Sequence, residues 1–278
     1  MDQRHATHPD DVPALGTGEL RRRFLVEGLF LDGQVRAVHS HHDRVVLAGL
    51  VPTGRPLSVP AFPELRSERF FDHREAGIVN VGGPGRARVD GAEHDLPHGA
   101  CLYVGRGAVD VEFSSVGGDG APPARFYLFS APAHTTHPTT SVLPGRGTVR
   151  ELGDPLTSNR RTLNQYVHAD GIRSCQVVMG VTTLHPGSTW NTLPAHTHDR
   201  RTEVYLYFDL PADDRVLHVM GRPEETRHLL VADCQAVISP SWSVHCGAGT
   251  AAYSFVWAMA GENQAFDDVD GVPVADLR

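Results

Sequence analysis

The sequence predicts an all-β protein of two tandem sandwich or barrel domains with one short N-terminal helix. Three observations support this class. Apolar runs of roughly four to eight residues alternate with Gly, Pro and Asp clusters, as in strands joined by tight turns. Helical segments of roughly 10–15 residues do not recur between these runs, which disfavours a parallel sheet with crossover helices. The two halves of the chain also share a weak internal repeat.

The N-terminal region carries the one predicted helix. Residues 1–18 are polar and contain several Pro and Gly residues, so an irregular arm is expected there. Glu19–Glu27 follows, with Leu20, Phe24 and Leu25 at helical spacing. This spacing predicts a short helix with one apolar face.

The strand pattern begins after this helix and continues to the C-terminus. In the first half, strands are predicted at Val45–Val51, Gly77–Val81, Ala100–Val104 and Arg125–Phe129. In the second half, they are predicted at Glu203–Phe208, Arg215–Met220, His228–Val231, Gln235–Pro240 and Ala252–Met259. The Pro- and Gly-rich segment Pro132–Gly153 reads as a linker, so we expect one domain over residues 1–140 and another over 141–278.

The internal repeat differs between the halves at a position that matters chemically. Ala100–Val104 aligns with Ala236–Pro240, and each run leads through a Gly-containing turn to another apolar strand. His245 stands nine residues after Ala236, whereas Val109 stands nine residues after Ala100. We therefore expect the first domain to be free of metal and to serve packing or assembly.

Composition excludes several classes of function. All 25 basic residues among the 278 are arginine, which excludes lysine Schiff-base, lysine-linked pyridoxal and P-loop chemistry. A net charge of -8 without a basic run argues against a nucleic-acid partner. The four cysteines form no CxxC pair, which predicts reduced thiols in a cytoplasmic protein. No signal peptide and no apolar run of roughly 20 residues is apparent, so no membrane association is expected.

The strongest chemical signal is a set of three histidines and a glutamate in the second half. His196 and His198 are two residues apart, so both side chains face the same side of a strand. Glu203 lies five residues after His198 at the start of a predicted strand, and His245 follows a turn with Pro and Trp. Imidazole and carboxylate ligands suit Zn²⁺ and other divalent transition metals. The pattern predicts a metal site in the second domain.

This ligand set resembles that of the cupin family. Longer stretches are similar to the 5-keto-4-deoxyuronate isomerase family, also called 4-deoxy-L-threo-5-hexosulose-uronate ketol-isomerases, over nearly the whole chain at matching length. The stretches that carry this resemblance are Asn80–Gly83, Ala131–His134, Leu156–Asn164, Trp190–Arg201, Met220–His228, Gln235–His245 and Gly261–Asp268.

The resemblance implies two tandem cupin-like jelly-roll domains, with one Zn²⁺ or another divalent transition metal per chain. It implies His196, His198, Glu203 and His245 as the ligands. It further implies conversion of 5-dehydro-4-deoxy-D-glucuronate to 3-deoxy-D-glycero-2,5-hexodiulosonate in pectin and uronate degradation. The expected partners are this small sugar acid and further copies of the chain, which the resemblance implies form a hexamer.

Aldose–ketose isomerisation indicates which other residues to consider. Hydrogen moves between adjacent carbons through an enediol or by hydride shift, and both routes need a Lewis acid and proton-transfer groups. Four protein ligands form a closed zinc site, so catalysis requires further coordination or displacement of Glu203. A guanidinium fits a substrate carboxylate. The candidates for proton transfer are Glu203, Tyr205, Glu225 and Glu262. Those for substrate binding are Arg160, Arg161, Arg201, Arg227 and Tyr207.

Weaker patterns leave alternatives open. One alternative is a second metal site at His39, His41 and His42, which also contain an HxH pattern, but no glutamate follows at the offset seen after His198. His134 lies in a stretch that carries the resemblance, and the roles left open for it are a subunit contact or a position at the edge of the pocket. The alternative functions are an iron cupin dioxygenase, the related 5-deoxy-glucuronate isomerase and a non-enzymatic sugar-binding cupin.

Overall fold

The computed structural model describes residues 1–118 and 120–278. Within them, one α-helix, α1, spans Thr17–Phe24, and short 3-10 helices span Pro9–Ala14, Pro63–Leu65, Pro155–Thr157 and Val274–Asp276. The strands are β1 Asp2–Arg4, β2 Leu25–Val26, β3 Val35–Ser40, β4 Val46–Leu50, β5 Leu57–Ser58, β6 Arg74–Asn80, β7 Gly85–Val89, β8 Ala92–Leu96, β9 Cys101–Val104, β10 Val111–Ser115, β11 Phe126–Pro132, β12 Thr140–Val142, β13 Thr148–Leu152, β14 Arg161–Val167, β15 Val178–Leu184, β16 Trp190–Asn191, β17 His196–Thr197, β18 Arg201–Phe208, β19 Val216–Arg222, β20 Glu225–Val231, β21 Gln235–Ser239, β22 Val244–Gly249, β23 Ser254–Gly261 and β24 Asp270–Gly271.

The two halves share the order of the five central strands of the large sheet and of the four strands of the small sheet, and the predicted all-β class is confirmed. In the first half a seven-stranded sheet of order β1-β3-β4-β11-β6-β9-β12 accompanies a four-stranded sheet of order β5-β10-β7-β8. In the second half the orders are β13-β14-β15-β23-β18-β21-β2 and β16-β22-β19-β20. Each predicted strand coincides with an observed one, apart from shifts of a few residues at the ends.

Buried apolar side chains form a core inside each half and a third core between the halves. Phe113 and Phe126 lie in the first core, and Tyr205 and Trp257 lie in the second. The third core joins residues of the two large sheets, such as Val79 from β6 and Val204 from β18. Alternate residues of β6 and β18 therefore face an interior core or the neighbouring half, as strand geometry requires.

The N-terminal region differs from its prediction in two places. The helix begins at Thr17 and ends at Phe24, rather than spanning Glu19–Glu27. Leu25 and Val26 instead form β2, which pairs with β21 of the second half, because this buries both side chains and satisfies their backbone groups. The arm over 1–18 is not irregular throughout, since β1 pairs with β3 and Pro9–Ala14 is helical.

The predicted linker also contains regular structure. Pro132–Gly153 holds β12, which pairs with β9 of the first half, and β13, which pairs with β14 of the second. The chain therefore passes from one set of sheets to the other between Val142 and Thr148. The predicted division at 140/141 lies inside β12.

The strand registers correct the alignment of the repeat. Ala100 faces the core of the first half, whereas Ala236 faces the core between the halves, so the aligned runs are out of phase by one residue. Each small sheet contains a β-hairpin with a two-residue turn, residues 90–91 in the first half and 223–224 in the second. Three residues before that turn, Ala87 pairs with Phe113 in the first half and Met220 pairs with His245 in the second. Phe113, a buried core ring, thus stands where the second half has His245. Val109, assigned to that place from the sequence, is 58% exposed.

Candidate metal centre and adjoining cavity

Local backbone structure positions the first two histidines at the entrance of the second barrel. His196 opens β17, which pairs with β24, and His198 follows it directly. Asp199 and Arg200 form a turn, after which the chain enters β18 at Arg201. The carbonyl oxygen of Arg201 lies 2.8 Å from Nδ1 of His198, which fixes the imidazole ring against the start of that strand.

Strands β18 and β22 bring the other two members of the set to the same point. The Oε2 atom of Glu203 lies 3.0 Å from Nε2 of His198 and 2.7 Å from Nε2 of His245. The Nε2 atoms of His245 and His196 are 3.0 Å apart. Ligand atoms of all four residues lie within 4.8 Å of one another, so the predicted set is brought together.

Burial and proximity shift the proton affinities within this cluster. Burial acts to raise the pKa of Glu203, but His245 and His198 beside it lower that pKa well below its usual range. Burial lowers the pKa of His196 to about 3. The pKa of His198 is raised, because the hydrogen bond and charge of Glu203 outweigh the opposing effect of burial. An ionised carboxylate therefore faces imidazoles of unequal basicity.

The cluster fits a divalent transition metal. Three Nε2 atoms and a carboxylate oxygen converge, and His198, Glu203 and His245 are almost completely buried. The Nδ1 atom of His198 faces the carbonyl oxygen of Arg201, and that of His245 lies 3.3 Å from the carbonyl oxygen of Ser243. Carbonyl partners at Nδ1 leave Nε2 as the ligand atom, which is the usual arrangement around metal-bound histidine.

A cavity of about 340 Å³ adjoins the cluster. Its lining combines metal-ligand candidates, two arginines, one aspartate and several apolar side chains. The lining residues are Arg150, Leu152, Arg161, Leu163, Thr182, Thr192, Leu193, Pro194, His196, Glu203, Tyr205, Phe255, Trp257, Met259, Phe266, Asp267 and Val269. The cavity has room for a small organic ligand that reaches His196 and Glu203.

Among the predicted arginines, the structure places Arg161 in the cavity. Its Nη1 donates to the carbonyl oxygen of Asn159, and burial lowers its pKa against the opposing influence of Tyr205 and Tyr253. Arg160 is exposed and does not line the cavity. Arg227 lies on the outer hairpin, where its Nη2 contacts Glu225 at 2.7 Å.

Arg201 does not face the cavity, contrary to the interpretation from strand parity. Its side chain is buried, with Nη1 donating to the carbonyl oxygen of Ala265 and Nη2 to that of Asp268. Both bonds hold the segment that follows β23 against the barrel. Strand parity does not determine the direction of this side chain, because a long side chain at a strand end can bend away from the barrel axis.

Of the predicted tyrosines, Tyr205 lies at the cavity and Tyr207 does not, and the predicted acids Glu225 and Glu262 lie outside it. Tyr205 lines the cavity, and its hydroxyl lies 3.0 Å from Oγ1 of Thr192. Tyr207 is buried outside the cavity lining, with its hydroxyl 2.8 Å from Nδ1 of His218. Glu225 is exposed on the hairpin and bound to Arg227, and Glu262 is exposed after β23. Neither acid lines the cavity.

Several lining residues were not identified from the sequence. Arg150 on β13 is one; its guanidinium carbon lies 5.8 Å from the centre of the Phe266 ring. Asp267 and Phe266 belong to the stretch Gly261–Asp268, and Thr192 belongs to Trp190–Arg201. Both stretches carried the resemblance, so that signal pointed to these positions without giving their roles. No comparable signal marked Arg150.

The second histidine cluster lies in the first half, at the end of β3 and in the turn that follows it. Nδ1 of His39 and Nε2 of His41 both contact Oε1 of Gln3, at 3.2 and 2.9 Å. Burial lowers the pKa of His39 to about 4 and that of His42 to about 4.

In the described ranges 1–118 and 120–278, no helix is long and apolar enough to cross a membrane.

Comparison with known proteins gives close relatives over the whole chain. The 4-deoxy-L-threo-5-hexosulose-uronate ketol-isomerase of Kineococcus radiotolerans is 75% identical over 279 residues, with both chains covered completely. Proteins of the same name from Bacillus pumilus and Salmonella typhimurium are 51% and 48% identical, again with both chains covered completely.

Solved structures share the fold, and a family model matches most of the chain. An IolB-like protein from Salmonella typhimurium superposes with a TM-score of 0.65 at 16% identity, covering 82% of this chain and 87% of that one. Oxalate decarboxylase from Lactobacillus farciminis superposes with a TM-score of 0.58 at 8% identity, covering 86% and 83%. The model of the KduI/IolB family matches residues 32–271. With this match and the full-length relatives, the chain belongs to the KduI/IolB family.

Proposed function

We propose that the protein is a metal-dependent ketol-isomerase of uronate and pectin degradation. Its substrate is 4-deoxy-L-threo-5-hexosulose uronate, and its product is 3-deoxy-D-glycero-2,5-hexodiulosonate. The names of relatives at 48–75% identity support this assignment. The observation that carries it is the cluster of His196, His198, Glu203 and His245 beside a cavity that also presents two arginines.

We propose Zn²⁺ as the metal, held by those four residues. Nitrogen and carboxylate donors suit zinc, and the donor set carries one negative charge against the two positive charges of the ion. When bound, the metal polarises the substrate carbonyl as a Lewis acid and stabilises negative charge on its oxygen.

The cavity residues then divide the remaining tasks. Arg161 and Arg150 bind the substrate carboxylate, which does not take part in the isomerisation. Tyr205 donates a hydrogen bond to a substrate oxygen, because burial raises its pKa and keeps the hydroxyl protonated. Among the lining residues, Asp267 is the carboxylate that is not assigned to the metal, and it is available to accept a proton from substrate carbon. Phe255, Trp257 and Met259 exclude water.

The assignment of Arg161 and Arg150 to the carboxylate rests on their geometry. Arg150 pairs with Leu163 and Leu152 pairs with Arg161, so the two arginines are diagonal neighbours on one face of β13 and β14. Among the described residues, neither guanidinium forms an ion pair with a carboxylate, in contrast to Arg200, which binds Asp268. Two such cations at the edge of one cavity suit an anionic ligand.

The test is turnover by the purified protein. The uronate substrate and 5-deoxy-glucuronate are supplied separately, and loss of the aldehyde proton is followed by NMR, with dissolved oxygen present and absent. We expect turnover of the uronate at equal rates in both atmospheres and at least about tenfold slower turnover of 5-deoxy-glucuronate, within the range that pocket contacts provide. Oxygen-dependent turnover, preference for 5-deoxy-glucuronate, or binding without turnover contradicts the proposal.

We propose that the protein assembles with copies of itself, as a hexamer. Trp190, Leu217 and Leu230 are 38%, 37% and 53% exposed and follow one another across the outer face of the second small sheet. The first small sheet instead exposes ion pairs such as Arg88 with Glu112. An apolar stripe of this kind is typical of a covered surface. Analytical ultracentrifugation tests the assembly; a monomer contradicts it.

We also propose that the enzyme acts in the cytoplasm. All four cysteines are free, and Cys101 and Cys246 are buried. Thiols in this state suit a reducing compartment. Fractionation of cells that produce the protein tests this location, and recovery with the secreted fraction contradicts it.

A further inference from the structure

A chain of hydrogen bonds inside the second barrel ends at the hydroxyl of Tyr205. The hydroxyl of Tyr253 donates to Oδ1 of Asn191 at 2.5 Å, and Nδ2 of Asn191 donates to Oγ1 of Thr192 at 2.9 Å. Oγ1 of Thr192 lies 3.0 Å from the hydroxyl of Tyr205. Asn191 and Tyr253 are almost completely buried, so water does not compete for these groups.

The buried end of this chain sets the direction of its first two bonds. Oδ1 of Asn191 accepts from Tyr253, which leaves Nδ2 to donate to Thr192. The hydroxyl of Thr192 accepts this bond and keeps its own hydrogen, which we assign to the oxygen of Tyr205 because Tyr205 is the other hydroxyl within hydrogen-bond distance. Tyr205 then receives a hydrogen bond on its oxygen and directs its own hydrogen toward the cavity, where Tyr205, Glu203 and His196 are exposed to a ligand.

Thr192 holds an unfavourable backbone conformation at this point. Its φ of 55° lies in the left-handed region, which β-branched residues rarely adopt. Such a conformation is retained where the surroundings impose it, and it occurs preferentially at functional sites. Here it places the hydroxyl of Thr192 between Asn191 and Tyr205.

We infer that Thr192 is a positioning residue for the isomerisation, acting through Tyr205. Its hydroxyl orients the hydroxyl of Tyr205 as a donor to the substrate oxygen that gains charge during reaction, and Asn191 and Tyr253 set that orientation. This inference rests on the proposed function, because it assigns the relay to the same reaction. The effect is expected in kcat rather than in KM, since the donor is needed most when the oxygen is negatively charged.

The test compares Thr192→Val with Thr192→Ser. Valine keeps the shape and loses the hydroxyl, whereas serine keeps the hydroxyl. We expect Thr192→Val to lower kcat roughly tenfold, as for one lost hydrogen bond, with KM within about twofold and with unchanged metal content. Thr192→Ser is expected to recover kcat to within about twofold. Equal loss in both variants, or no loss in Thr192→Val, overturns the inference.

A second experiment distinguishes the relay from a general effect on packing. Tyr253→Phe removes the first donor of the chain, so its effect and that of Thr192→Val are expected to be non-additive, with the double variant no slower than Thr192→Val alone. Thr183→Val makes the same change at an exposed position of β15, bonded to Ser254, and is expected to keep parental kinetics. Multiplicative effects of the two core changes overturn the relay. Absence of turnover in the parent protein instead overturns the proposed function, so the two failures are distinguishable.

Discussion

Arg201 of the second half has a structural counterpart in Arg74 of the first half. Arg201 opens β18 opposite Gly261 of β23, and Arg74 opens β6 opposite Pro132 of β11. Both side chains are buried, and both guanidinium groups donate to backbone carbonyls, including that of Asp268 for Arg201 and that of Arg44 for Arg74. Because the first half lacks the histidine set, a shared arginine points to a role in folding.

This relationship predicts the phenotype of Arg201→Gln. Two buried charged hydrogen bonds are lost, so we expect unfolding free energy to fall by about 2–3 kcal/mol, with a similar loss in Arg74→Gln. Urea denaturation measures both, with exposed Arg36→Gln as the control, expected within about 0.5 kcal/mol of the parent. A raised KM in Arg201→Gln with unchanged stability would restore the substrate-binding interpretation.

The arginines of the cavity are predicted to act on substrate binding. Loss of one charged hydrogen bond, about 1.5–3 kcal/mol, corresponds to a rise in KM of roughly 10- to 100-fold for Arg161→Gln. We expect a smaller rise in the same direction for Arg150→Gln and none for Arg146→Gln, whose side chain is exposed outside the cavity. Metal content should remain parental throughout. Unchanged KM in both cavity variants would remove the carboxylate assignment.

Tyr205 is predicted to act on the chemical step. Removing its hydroxyl in Tyr205→Phe takes away one donor at the reacting oxygen, so kcat should fall roughly 10²-fold with little change in KM. Steady-state kinetics and metal analysis of the same sample measure this. Parental kcat in Tyr205→Phe would show that the hydroxyl does not contact the reacting oxygen and would leave Thr192 nothing to position.

Metal affinity is predicted to rise with pH. The ligand imidazoles must be neutral to bind metal, so a bound proton competes with the ion. The pKa of His198 is raised above the ordinary value of 6.5, whereas burial lowers that of His196 to about 3. Metal affinity should therefore decrease as the pH falls through the raised pKa of His198, and it should reach its full value above that pKa. Competition with a chelator measures this, and a flat profile from pH 5.5 to pH 8 would contradict it.

The sequence was sufficient for features that depend on local spacing. Strand positions follow from alternating apolar runs, and His196 and His198 converge because their spacing matches the strand period. Glu203 and His245 were identified from their offsets together with the family resemblance. These residues are adjacent in space because strands β18 and β22 cross the barrel beside β17, which the sequence alone does not display.

Features that depend on side-chain direction or distant pairing were not predictable. A one-residue error in aligning Ala100 with Ala236 reversed the facing of that run. The first half also has three more residues between Cys101 and Phe113 than the second has between Ala236 and His245, so Val109 was assigned the place of Phe113. Arg201 shares strand parity with Glu203, but its long side chain bends to the carbonyls of Ala265 and Asp268. Arg150 reaches the cavity through the pairing of β13 with β14, for which no sequence signal was found.

The most direct test restores metal to chelator-treated protein in steps while NMR follows consumption of the substrate aldehyde. We expect negligible turnover before addition and a rate that rises in proportion to bound Zn²⁺, reaching a plateau at about one ion per chain. His198→Ala should bind little metal and recover little rate under the same titration. Full turnover before metal is added, or a plateau in His198→Ala equal to that of the parent, would contradict a metal-dependent isomerisation at this site.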